Sequence, residues 1–208
     1  AYMPTELNIP IAEVEQQAWF GEDIAVISGY VMVSSRGSEV DGLASAGKVY
    51  LFNGAGLYQR HYQSPNPTEY GQFGSKLWGW MSTFLIGAHQ EDADGVYQGG
   101  KVYRADQYSD DIIQEISSPH PESEGRFGSA IAQTPTGRIV IGAYKEEDGR
   151  VYLYSGTSHS INIIRDPYIT LKNGVETELS EFVTASYVDP SELSVKQGTN
   201  TGPIDGSK

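Results

Sequence analysis

The chain has 208 residues, 38% hydrophobic and 20% charged, the size of one ordinary domain. Glycine (24) and proline (10) break it too often for long helices and too rarely for a low-complexity chain. The absence of cysteine excludes disulfides, thiolate metal sites and a cysteine nucleophile. With 14 Lys and Arg against 27 Asp and Glu, the net charge of −13 repels phosphate backbones and anionic lipid, so no nucleic acid is expected as a partner. Apolar runs such as Val49-Tyr50-Leu51-Phe52 fall far short of the roughly 18 to 20 residues of a membrane span, so no membrane insertion is expected either.

Residues 1–19 carry Glu6, Glu13 and Glu15 and neither Lys nor Arg, unlike the basic start of a secretory signal. They are read as a closing segment for a repeat that begins at Phe20. Phe-Gly recurs at Phe20-Gly21, Phe73-Gly74 and Phe127-Gly128, spaced by 53 and 54 residues, a period that belongs to stacked or radial repeats. After each comes a first short segment (Asp23 to Ile27, Lys76 to Trp80, Ala130 to Gln133) and a second (Tyr30 to Ser34, Thr83 to Ala88, Arg138 to Ala143). The third is the clearest: Gly47-Lys48-Val49-Tyr50, Gly100-Lys101-Val102-Tyr103 and Gly149-Arg150-Val151-Tyr152. A fourth closes each unit at Leu57 to Gln63, Asp111 to Ile116 and Ser160 to Arg165.

Four β-rich segments per unit, bounded by Gly, Asp, Asn, Ser and Pro, predict one small antiparallel sheet per repeat, the size of a propeller blade. The fold expected is all-β, a small propeller of about four blades. Blade 1 spans 20–72, blade 2 73–126 and blade 3 127–174, while 175–208 holds a degenerate half blade around Phe182-Val183 and a polar tail. The alternative is three blades and an arm, with ring closure supplied by another copy. Phe20, Phe73 and Phe127 are expected in equivalent buried positions, and Tyr50, Tyr103 and Tyr152 as repeated structural residues.

Phe-Gly, an apolar pair, Ile86-Gly87-Ala88 or Ile141-Gly142-Ala143, and then Gly-x-Val-Tyr together resemble the FG-GAP repeat of the integrin α-subunit propeller and related adhesive proteins. The resemblance covers residues 20 to 165 and implies a propeller that works outside the cell. That family often carries a calcium loop between the first two strands. Here that place holds only Ser28-Gly29, Met81-Ser82 and Pro135-Thr136-Gly137, too few oxygen ligands for calcium, so the metal role is not carried over.

The turns between second and third segments are acidic, and their Glu39, Asp41, Asp92, Asp94, Glu146, Glu147 and Asp148 form a candidate partner-binding rim. Glu91, Asp92 and Asp94 are the only metal candidates, against the simpler reading of solvated hairpin ends. The inter-unit loops share Ser64-Pro65-Asn66-Pro67 and Ser118-Pro119-His120-Pro121, stiff in φ. His61, His89, His120 and His159 show no metal-ligand spacing, and neither a Gly-x-Ser-x-Gly nor a phosphate loop occurs. The expectation is therefore a non-enzymatic structural or adhesive protein without cofactor, binding other proteins or further copies of itself, in a virion or another extracellular assembly. A glycan-binding propeller is the alternative, and a propeller glycosidase the more distant one.

Overall fold

The computed structural model describes residues 6–10, 15, 18–27, 29–154, 161–164, 168–170, 176–178, 194–197 and 200–203. It is all-β. Sheet I runs β1 (Phe20–Ile27), β2 (Tyr30–Ser35), β3 (Lys48–Asn53) and β4 (Tyr58–Gln63), each antiparallel to the next. Sheet II repeats the order with β5 (Lys76–Trp80), β6 (Thr83–Ala88), β7 (Lys101–Asp106) and β8 (Gln114–Ser117). Sheet III follows with β9 (Phe127–Gln133), β10 (Ile139–Ala143), β11 (Arg150–Tyr154) and β12 (Ile161–Ile164).

The twelve strands fall where the repeat places them. Short loops of two to five residues join first to second strand, so neighbours in sequence pair in space. The longer turn between second and third strands folds back on itself in sheets I and II. Val40 bridges Leu43 and Ala93 bridges Val96 around Asp41-Gly42 and Asp94-Gly95, whose positive φ values suit the mirror-image hairpin turn that Asp-Gly favours.

The first strands line up, β1 beside β5 and β5 beside β9, and the sheets stack face to face. Ala25, Ile27, Met32, Val49 and Leu51 of sheet I meet Phe73, Leu77, Phe84, Ile86 and Tyr103 of sheet II in one buried cluster. Leu85, Val102 and Ile116, on the opposite face of sheet II, meet Phe127, Ile139, Ile141 and Tyr152 of sheet III in a second. A sheet covered on both faces has no solvated side to alternate toward, which is why the central strands read as nearly continuous apolar runs.

Each junction uses the same lock. The amide of Phe73 donates to the Ala46 carbonyl at 2.8 Å, and that of Phe127 to Gly99 at 3.0 Å. The preceding residues repeat it, Tyr70 to Ala44 at 2.8 Å and Glu124 to Tyr97 at 2.8 Å. Glycine is required in the ledge beneath. A Cβ on Gly47 would stand 2.2 Å from the Phe73 carbonyl oxygen, and one on Gly100 2.2 Å from that of Phe127.

Phe20 departs from the expected equivalence. It is 39% exposed, whereas Phe73 and Phe127 are fully buried. Its ring lies edge-on to Tyr50 and Phe52 of its own sheet, and no ledge from an earlier sheet covers it among the described residues. Tyr50, Tyr103 and Tyr152 are all fully buried, as the repeat requires.

Beyond sheet III the described backbone forms two small hairpins, β13 (Tyr168–Thr170) with β14 (Glu176–Glu178) and β15 (Ser194–Gln197) with β16 (Asn200–Pro203). Phe182-Val183, on which the degenerate fourth unit was placed, lies outside the described residues.

Candidate functional site

The turn connecting β2 to β3 and its counterparts in sheets II and III emerge at one end of the stack, because the inter-sheet connections are bonded into them. Connection 64–72 donates Tyr70 and Gln72 amides to the sheet I turn, at Ala44 and Ser45. The same connection receives the Asp92 amide of the sheet II turn on Thr68 Oγ1 at 3.3 Å. Glu122, one repeat later, accepts the Glu147 amide at 2.9 Å, and Glu15, one repeat earlier, accepts the Glu39 amide at 2.6 Å. Positions 15, 68 and 122 share the spacing of the Phe-Gly pairs, and this periodic acceptor is a signal the sequence carried unread.

Two of the acidic residues are not on a rim at all. Glu91 and Glu146 are fully buried. Glu91 Oε1 accepts from Ser64 Oγ at 3.0 Å and from the Tyr103 hydroxyl, and Ser64 and Tyr103 are themselves 3.0 Å apart. Lys101 closes the group, 4.0 Å from Glu91 and 2.7 Å from Glu115 on β8. The next junction repeats the set as Ser118, Glu146, Tyr152 and Arg150, with Ser118 Oγ 3.3 Å from the Tyr152 hydroxyl and Arg150 4.0 Å from Glu146. Each serine also receives the amide two residues on, Asn66 or His120, at 3.1 Å, so the Ser-Pro-x-Pro loop fixes its own hydroxyl.

A carboxyl enclosed this way is costly to ionise. Burial raises Glu91 to about 7 against the hydrogen bonds of Tyr103 and Ser64, which work the other way. Burial likewise raises Glu146, opposed by Tyr152 and Ser118. The two tyrosines move up as well, each through burial first and then the neighbouring glutamate. These groups hold a turn of one sheet to the connection leaving the sheet before it. The sequence marks Ser64, Ser118, Lys101 and Arg150 as repeated positions of the Ser-Pro-x-Pro loops and third segments, but nothing local in it joins them to the buried glutamates.

Among the described residues no glutamate takes this place in sheet I. Ser38 stands where Glu91 and Glu146 stand, buried and bonded to Ser35 Oγ at 3.0 Å, and Lys48 turns instead to Glu15 at 2.8 Å.

The remaining rim residues are at the surface: Glu39, Asp41, Asp94, Glu147 and Asp148 are exposed and Asp92 is half-buried. Asp92 Oδ1 accepts the Gln98 amide at 2.8 Å and Glu147 pairs with Arg150. Among the described residues no group of three or more His, Asp or Glu is placed to hold a metal ion. Glu91, buried against Tyr103, does not converge on a site with Asp92 and Asp94.

Beside this end a groove of about 580 Å³ runs between β4 and β8, with Asp41, His61, Pro65, Asp111 and Glu115 in its walls. Arg60 crosses behind it to the Ser109 carbonyl at 2.7 Å and to Asp110 at 3.0 Å. His89 is half-buried, its Nδ1 2.7 Å from Ser75 Oγ, and burial with the nearby Arg126 and Arg36 lowers it to about 4. It is a neutral structural histidine at neutral pH rather than a solvated one. Trp78 packs into the second cluster, whereas Trp19 is half exposed with the Arg36 guanidinium 4.9 Å from its ring centre. The chain matches no protein-family model, and no curated protein matches it.

Proposed function

We propose that this chain is a non-enzymatic structural or adhesive module. Its sheets are consecutive blades of a small β-propeller of the FG-GAP kind, and it works through protein–protein contacts in an assembly outside the cell, a virion among them. The observation that carries this reading is the division of labour among the carboxylates. Glu91 and Glu146, the two with raised pKa values, are enclosed with tyrosine and serine hydroxyls between sheets, where no substrate reaches them. Asp41, Asp94 and Asp148 stand exposed in the turns between second and third strands, where a basic surface can meet them.

The test has two arms. Wild-type protein incubated with a panel of nitrophenyl glycosides is expected to show no turnover, and immobilised protein is expected to bind an oligo-lysine probe in a salt-sensitive way. An Asp41→Asn, Asp94→Asn, Asp148→Asn triple variant should weaken that binding several-fold. Glycoside turnover that disappears in a rim-carboxylate variant overturns the reading.

A further inference from the structure

Among the described residues, the first and last sheets of the stack each leave one face without a neighbouring sheet. Phe73 and Phe127 each sit on a Gly-x-Val ledge of the sheet before them. A Cβ on Gly74 would lie 2.7 Å from Val49 Cγ2, and one on Gly128 2.9 Å from Val102 Cγ2. The chain has three Phe-Gly turns and three such ledges. Two of each are matched to one another, which leaves one turn, Phe20-Gly21, and one ledge, Gly149-Arg150-Val151.

Among the described residues, both leftovers are without such a neighbour. Val49 and Val102 are fully buried, but Val151 is 40% exposed. Among the described residues Gly149 has nothing nearer to its Cβ position than the Tyr144 carbonyl at 3.7 Å, where Gly47 and Gly100 have a phenylalanine carbonyl at 2.2 Å. At the other end, Ile24 and Val26 occupy the strand positions of Leu77 and Gly79, which pack on Ala25 and Ile27 of sheet I. Yet Ile24 is 54% and Val26 65% exposed. Among the described residues before Trp19, Leu7 and Ile9 pack on this face, around Val33, Tyr50 and Phe52.

We infer that the Gly149–Val151 ledge is a docking site for the Phe20-Gly21 turn of a second copy of this chain, so that copies join head to tail through a third instance of the junction already used twice within each. The occupant is argued from the match itself. Residues 155–208 contain neither a Phe-Gly pair nor a Gly-x-Val-Tyr ledge, so the motif of neither half recurs there. A second copy supplies both, in equal number. Such an interface is heterologous, and the rotation between successive sheets decides whether it closes into a ring or continues. The inference rests on the blade reading above.

Sedimentation equilibrium or light scattering on the full chain tests it. The wild type should show a mass above the 22.7 kDa of one chain, rising with concentration to an assembly of whole copies. Val151→Glu and Phe20→Asp should each give a monomer with an unchanged β-type circular dichroism spectrum. An equimolar mixture of the two variants should form a heterodimer and stop there, because one good turn meets one good ledge and no second junction exists. Because the chain has no cysteine, a Gly21→Cys, Val151→Cys double variant gives a second measurement, and oxidation should link chains to one another. A wild type that stays monomeric at every concentration overturns the inference, as does a mixture of variants that fails to pair. Neither result touches the oligo-lysine and glycoside assays, so a failure here is separable from a failure of the function proposed above.

Discussion

Sheet I and sheet II are built from the same repeat, and they differ most where the sheet before them would stand. Sheet II has a predecessor. Its Phe73 is buried on a glycine ledge, and its turn carries a buried glutamate clamped to the serine of the incoming connection. Sheet I has none among the described residues, and the same positions hold a partly exposed Phe20 and a buried Ser38. The comparison teaches that the repeat's signature residues encode junctions rather than sheets. A phenylalanine two-fifths exposed and one fully enclosed are the same letter in the same motif.

The largest expected effect breaks the comparison at the phenylalanines. Phe73→Ala removes a ring packed against Tyr103, with centroids 5.3 Å apart, from a site that has no room to collapse around backbone already locked by hydrogen bonds. A loss of about 3 to 5 kcal/mol is expected in denaturant unfolding. Phe20→Ala takes away a ring still partly in water, and its cost should be about 1 kcal/mol in the monomer. Equal losses at the two sites would show that Phe20 has a covering neighbour of its own.

Much of this was legible in the sequence. The twelve strands follow from short apolar runs cut by Gly, Asp and Ser-Pro at a repeated spacing, and the equivalence of Tyr50, Tyr103 and Tyr152 from their common place after Gly-x-Val. Burial of Glu91 and Glu146 was not legible, because a glutamate in an Asp-Gly turn has the local pattern of a solvated hairpin end. What encloses Glu91 is Ser64, 27 residues away, and a turn of sequence does not display a partner that distant. Exposure of Phe20 was hidden for the complementary reason. Its own residues match those around Phe73, and only the neighbour differs.

The second prediction sharpens the contrast in chemistry between Glu91 and Ser38. Burial raises Glu91 from its ordinary value near 4.5 to about 7. Between those values the folded chain keeps a proton that the unfolded chain has released. The stability this group contributes is therefore complete below about pH 4.5 and is lost as pH rises through about 7. Glu91→Gln keeps the shape and an acceptor for Ser64 and Tyr103 but cannot ionise. The stability of the variant relative to wild type should rise across that window by about 3 kcal/mol and level off above it. His89 works in the opposite sense. Lowered to about 4, it costs stability as pH falls below its ordinary 6.5, and it flattens the wild-type profile without entering the difference between wild type and Glu91→Gln. A Ser38→Ala control in sheet I should leave the pH profile as it is in wild type. A difference that does not change with pH would mean that Glu91 is reached by water.

The smallest expected effect concerns calcium, and it asks whether the acidic turns of sheets I and II are alike in being backbone devices. Calcium takes six to eight oxygens, and an EF-hand-like loop gathers them from closely spaced side chains around one point. In sheet II, Asp92 Oδ1 is already taken by the Gln98 amide, Glu91 is turned inward to Tyr103, and Asp94 stands exposed on the hairpin turn with φ of 53°. In sheet I, Asp41 holds the same turn position with φ of 52°, and Glu39 is joined through its amide to Glu15. Thermal melts with a chelator and with millimolar calcium should therefore agree within about 1 °C, since a ligand without affinity for the native state adds nothing to its stability. A rise of several degrees with calcium, abolished by Asp92→Asn and Asp94→Asn but not by Asp41→Asn, would show that sheet II carries a site that sheet I lacks.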